Sequence, residues 1–188
     1  MKKIALFSVF VLLLCSFDEP RLSRKNLLKG VSMLIPNEFV IMPDAEIAVR
    51  LPSNRKPLAV YTDKNYEVTL TINSANAAWE YKDLALLQKF YKSSIQSMFV
   101  NLDMKQEGIK QAGKYQFVFF EFVGVVNSES KMIKRGQAVY NYMFYTVSEG
   151  NVLVFNFHCP HHLKDQWKNA AKKMMESIQI AAEPAVAR

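Results

Sequence analysis

The chain has 188 residues, of which 50% are hydrophobic, 22% charged and 12% aromatic, with 13 Phe and 8 Tyr against only 6 Gly. That is enough chain for one domain with a real core, too little for two comfortable ones, and far too apolar for a disordered polymer. The formal charge of +7 sits in short scattered patches without interleaved aromatics. This argues against nucleic acid as a partner and leaves solubility, or contact with anionic lipid heads, as its use.

Lys2 and Lys3 precede an uncharged apolar run over residues 4–14, which the acidic "SFDEP" ends. This is the pattern of a secretory leader; the run falls short of the ~20 residues a membrane-spanning helix needs. Two processing routes fit. Cys15 is a candidate lipidation site and membrane tether, although Leu14 before it is bulkier than the small residue such a signal carries. Cleavage after Ser16 satisfies the small-residue rule at one position and would release the protein. The expected organisation is a signal peptide at 1–16, a polar tether at 17–29, a single domain at 30–180 and a loose tail at 181–188.

From residue 30 the hydrophobic pattern predicts structure. "GVSMLIPNEF" reads as a strand with Val31, Met33 and Ile35 on one face, followed by a Pro-Asn turn. "AEIAVRLPSNRKPLAVYTD" predicts two short extended pieces around a loop, kept to edges or hairpin arms by Pro52 and Pro57. In "YEVTLTINS" Tyr66, Val68, Leu70 and Ile72 alternate with Glu67, Thr69, Thr71 and Asn73, which predicts a half-buried strand with a wet outer face.

The period then changes. Leu87, Phe90, Tyr91, Ile95, Met98 and Phe99 recur at steps of three and four and predict a helix, with Asp83 at its N-cap. "VNLDMKQEG" predicts a strand ending at Gly108. "KYQFVFFEFVGVV", apolar on both faces, predicts a central strand. The polar arm "NSESKMIKR", then "GQAVYNYMFYTV", the turn "SEGN" and "VLVFNFHC" complete an antiparallel meander. A last helix carries Leu163, Trp167, Ala171, Met174 and Ile178 on one face. The order predicts one α+β domain, an antiparallel sheet flanked by helices.

Chemistry concentrates in "FNFHCPHH", where His158, Cys159, His161 and His162 lie within five residues. Imidazoles and a thiol are zinc and copper donors, so these four are the candidate metal ligands. Alternation along a strand argues otherwise, because His158 and Cys159 leave on opposite faces and Cys159 shares its face with Phe155 and Phe157. The expectation is therefore a buried structural cysteine with surface histidines opening a helix, and no metal or cofactor. A catalytic Cys/His pair is disfavoured, since burial raises a thiol's pKa, and no nucleophile elbow, phosphate-cradling loop or H-E-x-x-H occurs.

Glu121, mid-strand among phenylalanines, needs a partner if buried, with a lysine, Tyr140 or Tyr142 in reach. Met104, Met132, Met143, Met174 and Met175 could line an adaptable apolar groove, though core is the commoner use. The alternating tyrosines of "AVYNYMFY" suggest an interface.

The run from "VSMLIPNEF" through "VTLTIN", the "DLALLQKFYKSS" helix, "FVFFEF", "VYNYMFY" and "VLVFNFHCP" to "WKNAAKKMMESI" resembles the PsbP-like superfamily, which includes the DcrB-like bacterial envelope proteins. The resemblance spans residues 30–180 and implies an α/β/α sandwich that binds other proteins without a shared catalytic motif. No functional residue carries across. The leader departs from the cytoplasmic secretion-chaperone branch of the DcrB-like proteins. The reading is thus an exported, non-enzymatic envelope protein that binds another envelope or secreted protein as an assembly, accessory or immunity factor. A periplasmic metal-handling protein using "HCPHH" is the alternative.

Overall fold

The computed structural model describes residues 19–51, 55–76, 79–126, 136–148 and 150–181. The leader with Cys15, the polar arm at 127–135 with Met132, and the tail from residue 182 lie outside the described residues. In chain order the elements are β1 (Leu22–Leu28), β2 (Val31–Pro36), β3 (Val40–Ile41), α1 (Asp44–Arg50), β4 (Ala59–Thr62) and β5 (Thr69–Asn76). There follow α2 (Leu84–Met98), β6 (Phe99–Ala112), β7 (Tyr115–Val126), β8 (Ala138–Ser148), β9 (Asn151–Pro160), α3 (Lys164–Glu176) and β10 (Gln179–Ile180).

Seven strands form one antiparallel sheet in the order β3-β4-β5-β9-β8-β7-β6, and β1-β2-β10 form a second, three-stranded one. The meander β6 to β9 follows the predicted order. β7 is doubly covered, as its composition requires. Phe117 and Phe119 pack toward α3, while Val118, Phe120 and Phe122 pack toward α2.

Three layers result. α2 covers one face with Leu84, Leu87 and Ile95, and α1 covers Val60 on the same face with Ile47. The other face carries α3 together with the small sheet, whose Val31, Met33 and Ile35 share a core with Trp167, Ala171 and Met174. Ser177, just past α3, ties the two. Its hydroxyl accepts the Leu34 N–H at 2.7 Å and donates to the Met174 carbonyl at 2.6 Å.

Several expectations are corrected. Residues Leu22–Leu28, assigned to the tether on their polarity, form β1, because Leu27 is buried against the core while the polar residues line a solvent-facing sheet. "DAEIAVR" is helix α1 and not extended. Asp44 and Glu46 in its first turn suit the helix dipole, and Glu46 pairs with Arg50 at 2.7 Å.

β6 does not stop at Gly108; its register with β7 runs unbroken from Gln106 to Ala112, and the glycine lies opposite Phe119, where a Cβ would stand 3.3 Å from the ring. Asp83 makes no cap bond to α2. Its carboxylate accepts the Glu80 N–H at 3.1 Å instead, one short 3-10 turn earlier. The outer face of β5 is not wet, since Thr69 and Thr71 are buried alongside Leu70 and Ile72.

Candidate functional site

β9 pairs with β8 so that Cys159 lies opposite Tyr140 and His158 opposite Asn141. Cys159 is fully buried in the α3-side core. Burial there pushes its thiol up to about 12, so it stays protonated and unreactive at neutral pH. His158 faces the other way, toward the α2 side. His161 and His162 follow on an exposed 3-10 turn, residues His161–Leu163. The four donors therefore leave in three directions, and among the described residues no group of three or more His, Cys, Asp and Glu could hold a metal ion.

His158 corrects the expectation of surface histidines, being 6% exposed. Strand register sets it in a row with Thr62, Thr69 and Asn141, and Thr71 with Asn156 forms the next row. This polar strip crosses the centre of the sheet on its α1/α2 face. Asn141 and Thr62 turn to backbone carbonyls of Val139 and Val68. Among the described residues the Thr69 hydroxyl and the Asn156 Oδ1 have no partner. Burial without a charged neighbour pushes His158 down to about 4, so the imidazole is neutral at physiological pH.

Glu121 finds the partner expected of it. The Tyr140 hydroxyl donates to its Oε1 at 3.1 Å. Beside it Lys110 Nζ donates to the Tyr142 hydroxyl and to Glu176, both at 3.3 Å, and stands 4.5 Å from the centroid of Phe119. Desolvation and the neighbouring carboxylates raise both tyrosines well above the usual phenol range, which keeps them as donors. This network joins β6, β7, β8 and α3 and has the character of a structural clasp. Of the tyrosines of "AVYNYMFY", Tyr140 and Tyr142 are buried in it and Tyr145 is buried on the α2 side against Tyr91, so they do not form an exposed interface; Met143, Met174 and Met175 are likewise core.

Among the described residues exposed large apolar side chains occur in two main places, around β3 and α1 (Val40, Ile41, Val49, Leu58) and on α2. Leu86 and Phe90 are 57% and 52% exposed, one turn apart, and the Trp79 ring stands 5.7 Å from that of Phe90. Sequence reasoning placed Phe90 on the buried stripe. In the structure the stripe runs Leu84, Leu87, Tyr91, Ile95, which rotates Phe90 outward. Counting Leu84 into the pattern is the signal that would have shown it. α2 itself contains no acidic residue, and Lys89 lies beside the patch.

Comparison of the whole architecture with solved structures decides the fold. The chain superposes on cyanobacterial PsbP (CyanoP) from Synechocystis sp. PCC 6803 with a TM-score of 0.57 at 12% identity, covering 85% of this chain and 92% of that one. The chain has the PsbP-like fold. The same PsbP-like architecture is shared with the Ran-binding protein Mog1p of Saccharomyces cerevisiae, at TM-score 0.54 and 11% identity over 86% of this chain and 96% of that one. It is shared also with LpqN of Mycobacterium tuberculosis, a protein involved in cell envelope biogenesis, at 0.52 and 14% over 86% and 91%. No family model and no curated protein matches the chain by sequence. Among the described residues no helix of this PsbP-like domain is long and apolar enough to cross a membrane.

Proposed function

We propose that this chain is an exported, non-enzymatic binding module of the bacterial envelope, and that it recognises another protein through the outer face of α2. The observation that carries this reading is the cluster of Trp79, Leu86 and Phe90. Tryptophan and other aromatic residues dominate binding hot spots because they bury large, rigid surfaces. Phe90 on α2 and Trp79 just before it leave a large aromatic area only partly covered by the fold, area that a partner could bury.

The company of the fold supports the reading: Mog1p binds Ran, and LpqN takes part in envelope biogenesis. The leader-like segment at 1–16 supports export. The non-enzymatic part rests on chemistry. The thiol is protonated and sealed in the core, His158 is neutral in a strip without an ionised neighbour, and Glu121 is engaged by Tyr140.

The test is site-specific photo-crosslinking in the producing cell, with the photoreactive residue in place of Phe90 and, as control, in place of Lys172 on the exposed side of α3. One defined adduct from position 90, absent from position 172 and abolished by Leu86→Glu, supports the α2 surface. Equal adducts from both positions, or none, would refute it.

A further inference from the structure

The small sheet ends in a cleft of about 580 Å³, within the range of small-molecule sites. Three separated pieces of chain build it: the β1–β2 turn, the β6–β7 turn at Gly113 and Lys114, and the short strand β10 with Ala181. Gly113, at φ +56, holds the β6–β7 turn against the chain, where a Cβ would stand 3.1 Å from the Ile178 carbonyl. Any other residue there would widen the cleft at that end. Its opposite end closes where the Ala181 N–H bonds the Gly30 carbonyl at 2.7 Å.

The lining is divided by polarity. The half-buried Leu28 and Ile180, with the buried Val31 between them, supply its apolar side, Asn26, Ser32 and Gln179 its polar side, and Lys29 and Lys114 stand on the two turns that rim it. No described acidic residue lines the cleft. Neither Lys29 nor Lys114 is in an ion pair among the described residues, a condition shared with Lys25, Lys64, Lys89, Lys164 and Lys172; what sets these two apart is that both line one cleft. A cleft with an apolar side, a polar side and two lysines on its rim, and with no described acidic residue in its lining, is complementary to an amphiphile with an anionic head.

We propose that this cleft binds a single-chain anionic amphiphile, with the alkyl chain on Leu28, Val31 and Ile180 and the head between Lys29 and Lys114. The site is separate from the α2 surface and stands or falls without it. A carboxylate and a phosphate head present the same chemistry to two lysines, so fatty acids and lysophospholipids are both in its class.

Both sheets, the three helices and the hydrophobic clusters of the described residues lie within 19–181, so a chain of residues 17–188 keeps the described fold. Amide NMR on that chain would be followed during titration with dodecanoate and, separately, with lysophosphatidylglycerol, both below micelle formation. Neutral dodecyl maltoside is the control. The expected result is saturable shifts at Gly30, Gly113 and Gln179 to Ala181. Lys29→Glu and Lys114→Glu should each weaken binding about two- to fivefold, the range of an exposed ion pair.

Response to one head only would name the source and still support the site. Equal binding of the maltoside, shifts centred on α2, or no shift would overturn the proposal. So would binding seen only after deletion of residues 182–188, because the cleft would then belong to the chain's own tail.

Discussion

Acidification offers the sharpest test of how His158 is held. In the unfolded chain its imidazole takes up a proton near 6.5, whereas in the folded protein burial holds it down to about 4. Between those values the unfolded state binds a proton that the native state does not, so stability falls as pH drops from 6.5 towards 4 and levels off below. At ~1.4 kcal/mol per pH unit, that window amounts to about 3 kcal/mol. The loss is a large part of the 5–15 kcal/mol typical of a domain.

Other groups titrate in the same region. The carboxylates of Glu19 and Asp165 are held below their ordinary range by hydrogen bonds from Lys173 and Lys168, and they lose that stabilisation on acidification. They remain in a His158→Gln variant, which removes only the imidazole. Urea unfolding of both proteins at pH 7.5 and 4.5 isolates the difference. The wild type should lose about 2–3 kcal/mol more than the variant over that interval. Equal losses would mean that His158 is solvated or paired in the native state and not desolvated by burial.

Three further outcomes follow from the packing. Cys159 should react with a thiol reagent on the time scale of unfolding in native buffer and at once in urea, and metal analysis of the same protein should find no stoichiometric zinc or copper; a fast native reaction would contradict the buried thiol. Tyr140→Phe removes the donor to Glu121 and should cost about 1–3 kcal/mol by chemical denaturation, with Glu121→Gln closer to neutral because an amide can still accept; the reverse order would assign the energy to charge. Gly124→Ala places a methyl 2.9 Å from the Phe99 ring and should destabilise by about 1–3 kcal/mol by chemical denaturation, whereas Gly136→Ala meets no neighbour within 4 Å and strains only its own backbone at φ +80.

Much of the fold was legible because local pattern and burial coincide. β7 is apolar on both faces and is covered on both. Val31, Met33 and Ile35 alternate and are buried. Trp167, Ala171 and Met174 lie on one stripe of α3 and face the core. The errors lie where a segment's partner comes from far along the chain. β1 is polar enough to read as tether, and only pairing with β2 makes it a strand. "DAEIAVR" buries a single residue, Ile47, so periodicity had nothing to register. Phe90 was misplaced because two stripes one residue apart fit the same apolar letters until Leu84 is counted.

For the site, strand alternation by itself was sufficient to send His158 and Cys159 to opposite faces and Cys159 to the core. Alternation is a property of the extended backbone and needs no partner. What lies over each face is decided by layers assembled across the whole chain. Hence His158 proved buried instead of exposed, in a polar strip shared by β4, β5, β8 and β9. The cleft of the small sheet belongs to the same category. Its two lysines are separated by 84 intervening residues in the sequence and line one cleft only because tertiary pairing, with β10 on β2, brings the β1–β2 and β6–β7 turns to it. Composition and periodicity specify which residues must be buried; only tertiary pairing decides which of the remainder share a surface.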